Sequence, residues 1–174
     1  RQTQKLIRDT ELPAANSVTT PGVQPLAHQL EQEQSFSMSD FARFRGQASH
    51  ANYLGLDRPD IIYAAKEVCR GMSSPTDLHQ AALKRMVRYL RSRPRMVFKF
   101  DYQTADHIDA YADTDWAGCP RSRRSTSGGC VMLGSHLLKC WSSTQAGVAM
   151  SSGEAEFYGA VKGASTGLGM KALY

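Results

Sequence analysis

The chain has 174 residues with a formal charge of +5, which allows one ordinary domain or two small ones. Apolar residues make up 41%, adequate for a core, while a mean hydropathy of -0.41 leaves part of the chain outside it. No apolar run approaches the roughly 18 residues that cross a bilayer, and no signal-type stretch follows the first residues, so a soluble protein is predicted.

No Met opens the sequence, so its start reads as cut from something longer. Residues 1–37 are polar, carry Pro13, Pro21 and Pro25 and show no sustained period; they predict a flexible lead-in. Three helices follow. The first runs from near Ser39 to Leu54, with Ser39 or Asp40 as its cap and Phe41, Phe44, Ala48, Ala51 and Leu54 as its apolar stripe. The second starts at Pro59, a residue suited to a first turn, and buries Ile62, Ala65, Val68 or Cys69, and Met72. The third has Ser74 as N-cap, Pro75 at its first position and Asp77 in its first turn, with Leu78, Ala82, Met86 and Leu90 inward.

After Pro94 the period changes to two. Met96–Phe100, His107–Trp116, Gly128–Leu133 and Leu137–Ser142 read as strands, with Gly134-Ser135 as a turn. A last helix begins at Ser151, where Ser151-Ser152-Gly153-Glu154 fits a capping box and Phe157, Val161, Ala164 and Leu168 form the apolar stripe. It also holds Gly153, Gly159, Gly163, Gly167 and Gly169, each interior one costing about 1 kcal/mol relative to alanine unless close packing requires it. The expected architecture is α/β: 1–37 a lead-in, 38–94 a helical unit, and 95–174 a sheet with one helix against it.

Cys69, Cys119, Cys130 and Cys140 form no C-x-x-C pair, which argues against a zinc ribbon and for free thiols in a reducing, intracellular compartment. Positive charge is clustered: Leu78 to Phe100 holds seven basic residues and no acidic one. Lys84, Arg88, Arg91 and Arg95 follow at spacings that share a helix face until Pro94. Like charges at that spacing repel, so the stripe suits phosphates better than stability. Arg121, Arg123 and Arg124 form a second cluster. Such clusters are the footprint of a polyanion.

Alternation along His107–Trp116 places Asp109, Tyr111, Asp113 and Asp115 on one face. Adjacent carboxylates repel unless a cation sits among them. Two readings stay open at this point, a divalent-metal site and a solvent-facing strand end.

Further motifs narrow the choice. Tyr111-Ala112-Asp113-Thr114-Asp115-Trp116-Ala117-Gly118, Arg124-Ser125-Thr126-Ser127-Gly128, Trp141-Ser142-Ser143-Thr144-Gln145 and Ser151-Ser152-Gly153-Glu154-Ala155-Glu156-Phe157 closely resemble, in order and spacing, the RNase H region of Ty1/copia-type retrotransposon polyproteins. Upstream, Arg58-Pro59-Asp60-Ile61-Ile62-Tyr63-Ala64, Ala81-Ala82-Leu83-Lys84-Arg85 and Arg88-Tyr89-Leu90 resemble the reverse transcriptase thumb and connection region of the same polyproteins. The resemblance spans residues 38–174.

That resemblance implies a partial RNase H-like mixed sheet after a thumb-like helical unit. It implies hydrolysis of the RNA strand of RNA/DNA hybrids by carboxylates holding Mg2+, with Mn2+ as a substitute. The family's first catalytic aspartate falls on Asp113 and its helix glutamate on Glu156. Asp115 is either an auxiliary ligand or the cap of the following turn. Two further catalytic aspartates belong to later elements than the sequence contains, so the alternative is a nucleic-acid-binding remnant that does not cut. The implied partners are an RNA/DNA hybrid or other duplex, bound without sequence preference, and the remainder of the Pol polyprotein. The implied location is cytoplasmic or nuclear, including virus-like particles, with no membrane partner.

Overall fold

A computed structural model describes residues 1–12 and 16–173, with Met38 and Ser39 described by their backbone only. Pro13, one of the prolines of the expected lead-in, lies outside the described residues. The chain divides into two units, Arg1–Val97 and Phe98–Tyr174, close to the boundary expected at residue 94.

The first unit is helical: α1 (Gln2–Asp9), α2 (Ala27–Glu31), α3 (Met38–Gly55), a 3-10 turn (Pro59–Ile61), α4 (Ile62–Arg70) and α5 (Asp77–Ser92). Its core joins Leu6 of α1, Phe44, Ala48, Ala51 and Leu54 of α3, Ile61, Ala65 and Val68 around α4, and Leu83, Met86, Val87 and Leu90 of α5. A flexible lead-in is therefore corrected. Leu6 is fully buried, and Leu12 and Val18 pack against the same core. Gln47 donates to the Asp9 carbonyl (2.7 Å), tying α1 to α3. Leu6, Ile7, Leu12, Val18 and Phe36 of this stretch join the core, while Val23 and Leu26 stay exposed.

Helix boundaries shift for local reasons. Ser37 caps α3, and its hydroxyl donates to Asp40 in the first turn (3.0 Å). The cap of α5 is Thr76, whose hydroxyl accepts from His79 N (3.5 Å), and not Ser74. Pro75 is held extended instead, its carbonyl accepting from Phe36 N (3.2 Å) next to a bridge between Ser35 and Thr76.

The second unit has three antiparallel strands, β1 (Ile108–Asp115), β2 (Thr126–Leu133) and β3 (His136–Thr144), in the order β1-β2-β3, and one helix, α6 (Ser152–Lys171). A mixed sheet was expected; the pairing among the described residues is antiparallel throughout. Gly134, at φ 54°, makes the β2–β3 turn. Gln103 braces that turn, donating to Leu133 O (2.6 Å) and accepting from Ser135 N (2.9 Å). The expected strand at Met96–Phe100 does not form: no ladder partner faces it among the described residues, and its side chains are exposed.

Helix α6 turns a different side to the sheet than expected. Phe157, Val161, Ala164 and Leu168 are exposed, while Ala155, Gly159 and Gly163 are buried. A β-carbon on Gly163 would come within 2.9 Å of Ala112 Cβ, and one on Gly167 within 3.1 Å of Ala110 Cβ. The glycines thus let the helix backbone settle onto the small side chains of β1, a close approach that outweighs their helix-propensity cost. No described helix is long and apolar enough to cross a membrane.

Candidate functional site

The face of β1 that meets α6 carries Ala110, Ala112 and Thr114. Alternation sends Asp109, Tyr111, Asp113 and Asp115 to the other face. The side chain of Asp113 therefore leaves the sheet away from the helix that bears Glu156. Opposite Asp113 in the ladder stands Gly128, so no side chain crowds it there, and the carboxylate is exposed.

The second unit contains seven carboxylates, Asp101, Asp106, Asp109, Asp113, Asp115, Glu154 and Glu156. Five are engaged. Asp101 pairs with Lys99 (2.9 Å), and Asp106 and Asp109 flank His107 (2.6 and 3.4 Å). Asp115 accepts from Thr126 N, and its carboxylate packs so tightly on Gly118 that a β-carbon there would overlap it. The Asp115 carboxylate is thus held within the turn that follows β1. Glu154 accepts from Met150 N (2.7 Å) and Tyr158 (3.1 Å), while its own N–H donates to Ser151 Oγ (3.1 Å). The capping box is thus modified: the glutamate reaches back to Met150, one residue before the cap. Asp113 and Glu156 are exposed and make no hydrogen bond or ion pair among the described residues.

The hydrogen bond with His107 holds the Asp106 carboxyl below its ordinary value. The His107 imidazole is raised by its hydrogen bond to Asp106 and by the charges of Asp109 and Asp106. The hydrogen bond to Glu154 pushes the Tyr158 phenol up.

Around these carboxylates runs a polar scaffold that sequence reasoning did not assign. Ser125 is fully buried and accepts from Ala117 N (3.0 Å), while its carbonyl accepts from Gln145 N (2.8 Å). Gln145 Nε2 donates to Ser127 Oγ (3.0 Å) and to the Ala155 carbonyl (2.9 Å). Lys162 reaches Ser143 (2.8 Å), and Trp116 Nε1 donates to Ala149 O (3.1 Å). The polar residues of the motifs at 124–128 and 141–145 thus fasten the strands to the start of α6. Their signal in the sequence was uncharged hydrogen-bonding side chains recurring beside strand ends.

The predicted cations fall in different settings. Lys84 and Arg91 of α5 are exposed. Arg88 is half-buried and donates through Nε to Asn16 O (2.7 Å), and its neighbour Arg85 donates to Thr20 (2.8 Å). Arg95 lies beyond the helix, which ends at Ser92. Arg121, Arg123 and Arg124 are exposed on the β1–β2 loop, where Arg123 adopts φ 55°.

As metal ligands, the residues present are incomplete. Asp113 and Glu156 offer the hard oxygens that Mg2+ takes, and both are exposed. Among the described residues no three His, Cys, Asp or Glu side chains converge on one point. Two carboxylates do not by themselves make up a two-metal centre.

Over 152 residues, 87% of its length, the chain is 36% identical to the retrovirus-related Pol polyprotein from transposon RE1 of Arabidopsis thaliana. Over 157 residues, 90% of its length, it is 35% identical to that from transposon RE2 of the same plant. These matches cover 10% and 11% of the two relatives, so the chain spans about a tenth of their length. It is also 38% identical over 100 residues, 58% of its length and 70% of the relative's, to secreted RxLR effector protein 161 of Plasmopara viticola. No family model and no solved structure matches the chain.

Proposed function

Because this chain belongs to the retrovirus-related Pol polyproteins of copia-type transposons, we propose that its second unit contributes Asp113 and Glu156 to an RNase H-type site that hydrolyses the RNA strand of RNA/DNA hybrids. The observation that carries this reading is the carboxylate census. Five acids of the unit are engaged by structural partners, and the two left open are the two that the motif resemblance selects.

In this reading the first unit lies along the phosphate backbone, with Lys84 and Arg91 as its most accessible contacts and Arg88 and Arg95 at the margin. Arg121, Arg123 and Arg124 serve the same purpose on the β1–β2 loop. Contacts to phosphate position a duplex without reading its sequence, so no base preference is expected. Mg2+, or Mn2+ in its place, is the cofactor of the class. Further oxygen ligands are required beyond Asp113 and Glu156, and the remainder of the polyprotein is the partner that would supply them, inside the cell and in virus-like particles.

A second reading, a nucleic-acid-holding module that does not cut, is favoured by one observation: no third acidic ligand converges among the described residues. Cleavage of a labelled RNA/DNA hybrid in Mg2+, comparing the chain with its Asp113→Asn variant, separates the two. Cutting that disappears in the variant supports the nuclease. Hybrid binding with no cutting by either protein supports the holding module. Cutting that Asp113→Asn leaves intact rejects the assignment of Asp113.

A further inference from the structure

Cys130 of β2 and Cys140 of β3 stand directly opposite each other in the antiparallel ladder. Opposed residues of such a ladder carry their side chains on the same face, with α-carbons about 4.5 or 5.5 Å apart. A disulfide spans α-carbons roughly 4.4–6.8 Å apart, so the two sulfurs can be joined without parting the strands. The ladder continues on both sides of the pair, through Gly129↔Trp141 and Val131↔Lys139. The hairpin is closed by the Gly134 turn and its Gln103 brace, so the opposition is built into the register.

All four cysteines are free thiols, but their settings differ. Cys69 donates to the Ala48 carbonyl (3.3 Å), and burial pushes its thiol up. Cys119 is only 4% exposed, and its sulfur accepts from Ser122 N (3.4 Å). Cys130 and Cys140 are half-buried, and each has the other as a cross-strand neighbour. Gly129 and Val131, which flank Cys130, pair with Ala112 and Ala110, the side chains that meet α6. Alternation therefore places Cys130, and Cys140 with it, on the sheet face that the helix does not cover. The proximity of the two also shows in ionisation: burial first, and then the charge of Cys130, push the Cys140 thiol up.

We infer that Cys130 and Cys140 form a dithiol site that hydrogen peroxide converts to a cross-strand disulfide. One thiolate attacks the O–O bond of the peroxide, which gives a sulfenic acid and hydroxide, and the hydroxide takes up the proton that this thiol gave up. The second sulfur then displaces the sulfenic oxygen, which leaves as water with the second thiol's proton. Two thiols and one peroxide thus become one disulfide and two waters, with sulfur oxidised and peroxide oxygen reduced. The neighbour decides the product. A sulfenic acid without one goes on to sulfinic acid, which thiols do not reverse, whereas the disulfide returns to thiols by exchange with a thiol reductant. The bridge locks β2 to β3 on the face that carries Asp113, whose ladder partner Gly128 lies two residues from Cys130. It forms whether or not the unit cuts RNA.

The test is oxidation of the whole reduced chain with stoichiometric hydrogen peroxide, then alkylation of the remaining thiols, trypsin digestion and mass spectrometry. Lys139 lies between the two cysteines, so trypsin leaves them on separate peptides that only the bridge can join. Expected is a Cys130–Cys140 peptide pair, lighter by two hydrogens than the two thiol peptides together, formed within one chain and lost on treatment with dithiothreitol. It should appear while Cys69 and Cys119 are still alkylated as free thiols. In Cys130→Ser and in Cys140→Ser, the remaining cysteine of the pair should stop at a sulfenic acid that dimedone traps. Its yield should exceed that of the unmodified chain by about tenfold or more, because there the neighbouring thiol consumes it. The unmodified chain, which needs no substitution, should unfold at higher urea when oxidised than when reduced, since the bridge constrains the unfolded state. Thiols at 130 and 140 that survive while Cys69 or Cys119 reacts, a pair driven to sulfinic acid without a bridge, a bridge to any other cysteine or only between two chains, or an oxidised chain that unfolds at lower urea overturns the inference. RNA cleavage is not read at any step, so failure here is distinct from failure of the nuclease proposal.

Discussion

Gly159 of α6 lies directly against Thr114 of β1: a β-carbon on the glycine would overlap the threonine Oγ1, which is itself buried without a hydrogen-bond partner among the described residues. The helix can approach β1 this closely only where it has no side chain. Gly163 and Gly167 continue the same seam onto Ala112 and Ala110.

Gly159→Ala should therefore destabilise the second unit by about 1–3 kcal/mol, the cost of overpacking a tight contact. Gly169→Ala, at a position with nothing within 4 Å of the new carbon, should instead stabilise by up to ~1 kcal/mol through helix propensity. Both tryptophans of the chain lie in this unit, so urea unfolding followed by tryptophan fluorescence reads it directly. Equal effects of the two substitutions would show that the seam is not packed as described.

The two aspartates of β1 should separate by role. Asp113→Asn changes an exposed group with no partner among the described residues, so stability should move by no more than about 0.5 kcal/mol. Asp115→Ala removes the acceptor of Thr126 N and should cost about 1–3 kcal/mol, the penalty for an orphaned donor. A folded, stable Asp113→Asn protein is also what makes its loss of cleavage interpretable. If Asp113→Asn melts as early as Asp115→Ala, Asp113 is structural.

Period and punctuation made the main elements legible. The stripe Phe44, Ala48, Ala51, Leu54 is buried as its spacing requires, and β1, β2 and β3 fall where alternation and turn residues place them. The failures have separate causes. On α6 the larger apolar residues suggested the buried side, but the neighbouring strand offers alanines and a threonine, and shape complementarity selected glycine. At Met96–Phe100 the alternating pattern was present, but the segment pairs with no strand among the described residues and its side chains are exposed. For the site, motif resemblance picked Asp113 and Glu156. Only the structure could show that Asp115 and Glu154, two residues away in each case, are occupied by backbone donors. Burial of Arg58 was illegible because nothing local in Arg-Pro-Asp indicates that Tyr89 and the Arg93 carbonyl close over it.

Acid should weaken the first unit through Asp60. Burial acts to raise this carboxyl, but the hydrogen bonds from Arg58 and Tyr89 and the Arg58 charge outweigh it, and the group sits below its ordinary value. A carboxyl depressed in the folded state contributes stability that is complete above its unfolded value and is lost as pH falls through the folded one. The window thus opens below about pH 4, the range of an unperturbed aspartate. Urea midpoints followed by helical circular dichroism should fall on going from pH 5 to pH 3, and fall less in Asp60→Asn, which starts from lower stability at pH 7. A parallel decline in both proteins would place the acid sensitivity elsewhere.

Duplex binding should divide the basic residues of α5 by how far they are exposed. Lys84 and Arg91 are exposed, whereas Arg88 is half-buried and donates to the Asn16 carbonyl. If the helix follows a phosphate backbone, Lys84→Ala and Arg91→Ala should each weaken binding to an RNA/DNA hybrid. Each should also flatten the slope of log K against log salt by about 0.9, the release of one counterion. Arg88→Ala should lower the stability of the first unit and change that slope less, because part of what it loses is an internal hydrogen bond. The measurement is hybrid affinity by fluorescence anisotropy across a salt series. Affinity that ignores salt in the unmodified chain would exclude a phosphate-tracking role for this helix, and an Arg88 slope change as large as that of Lys84 would show that the contact to Asn16 gives way when the duplex binds.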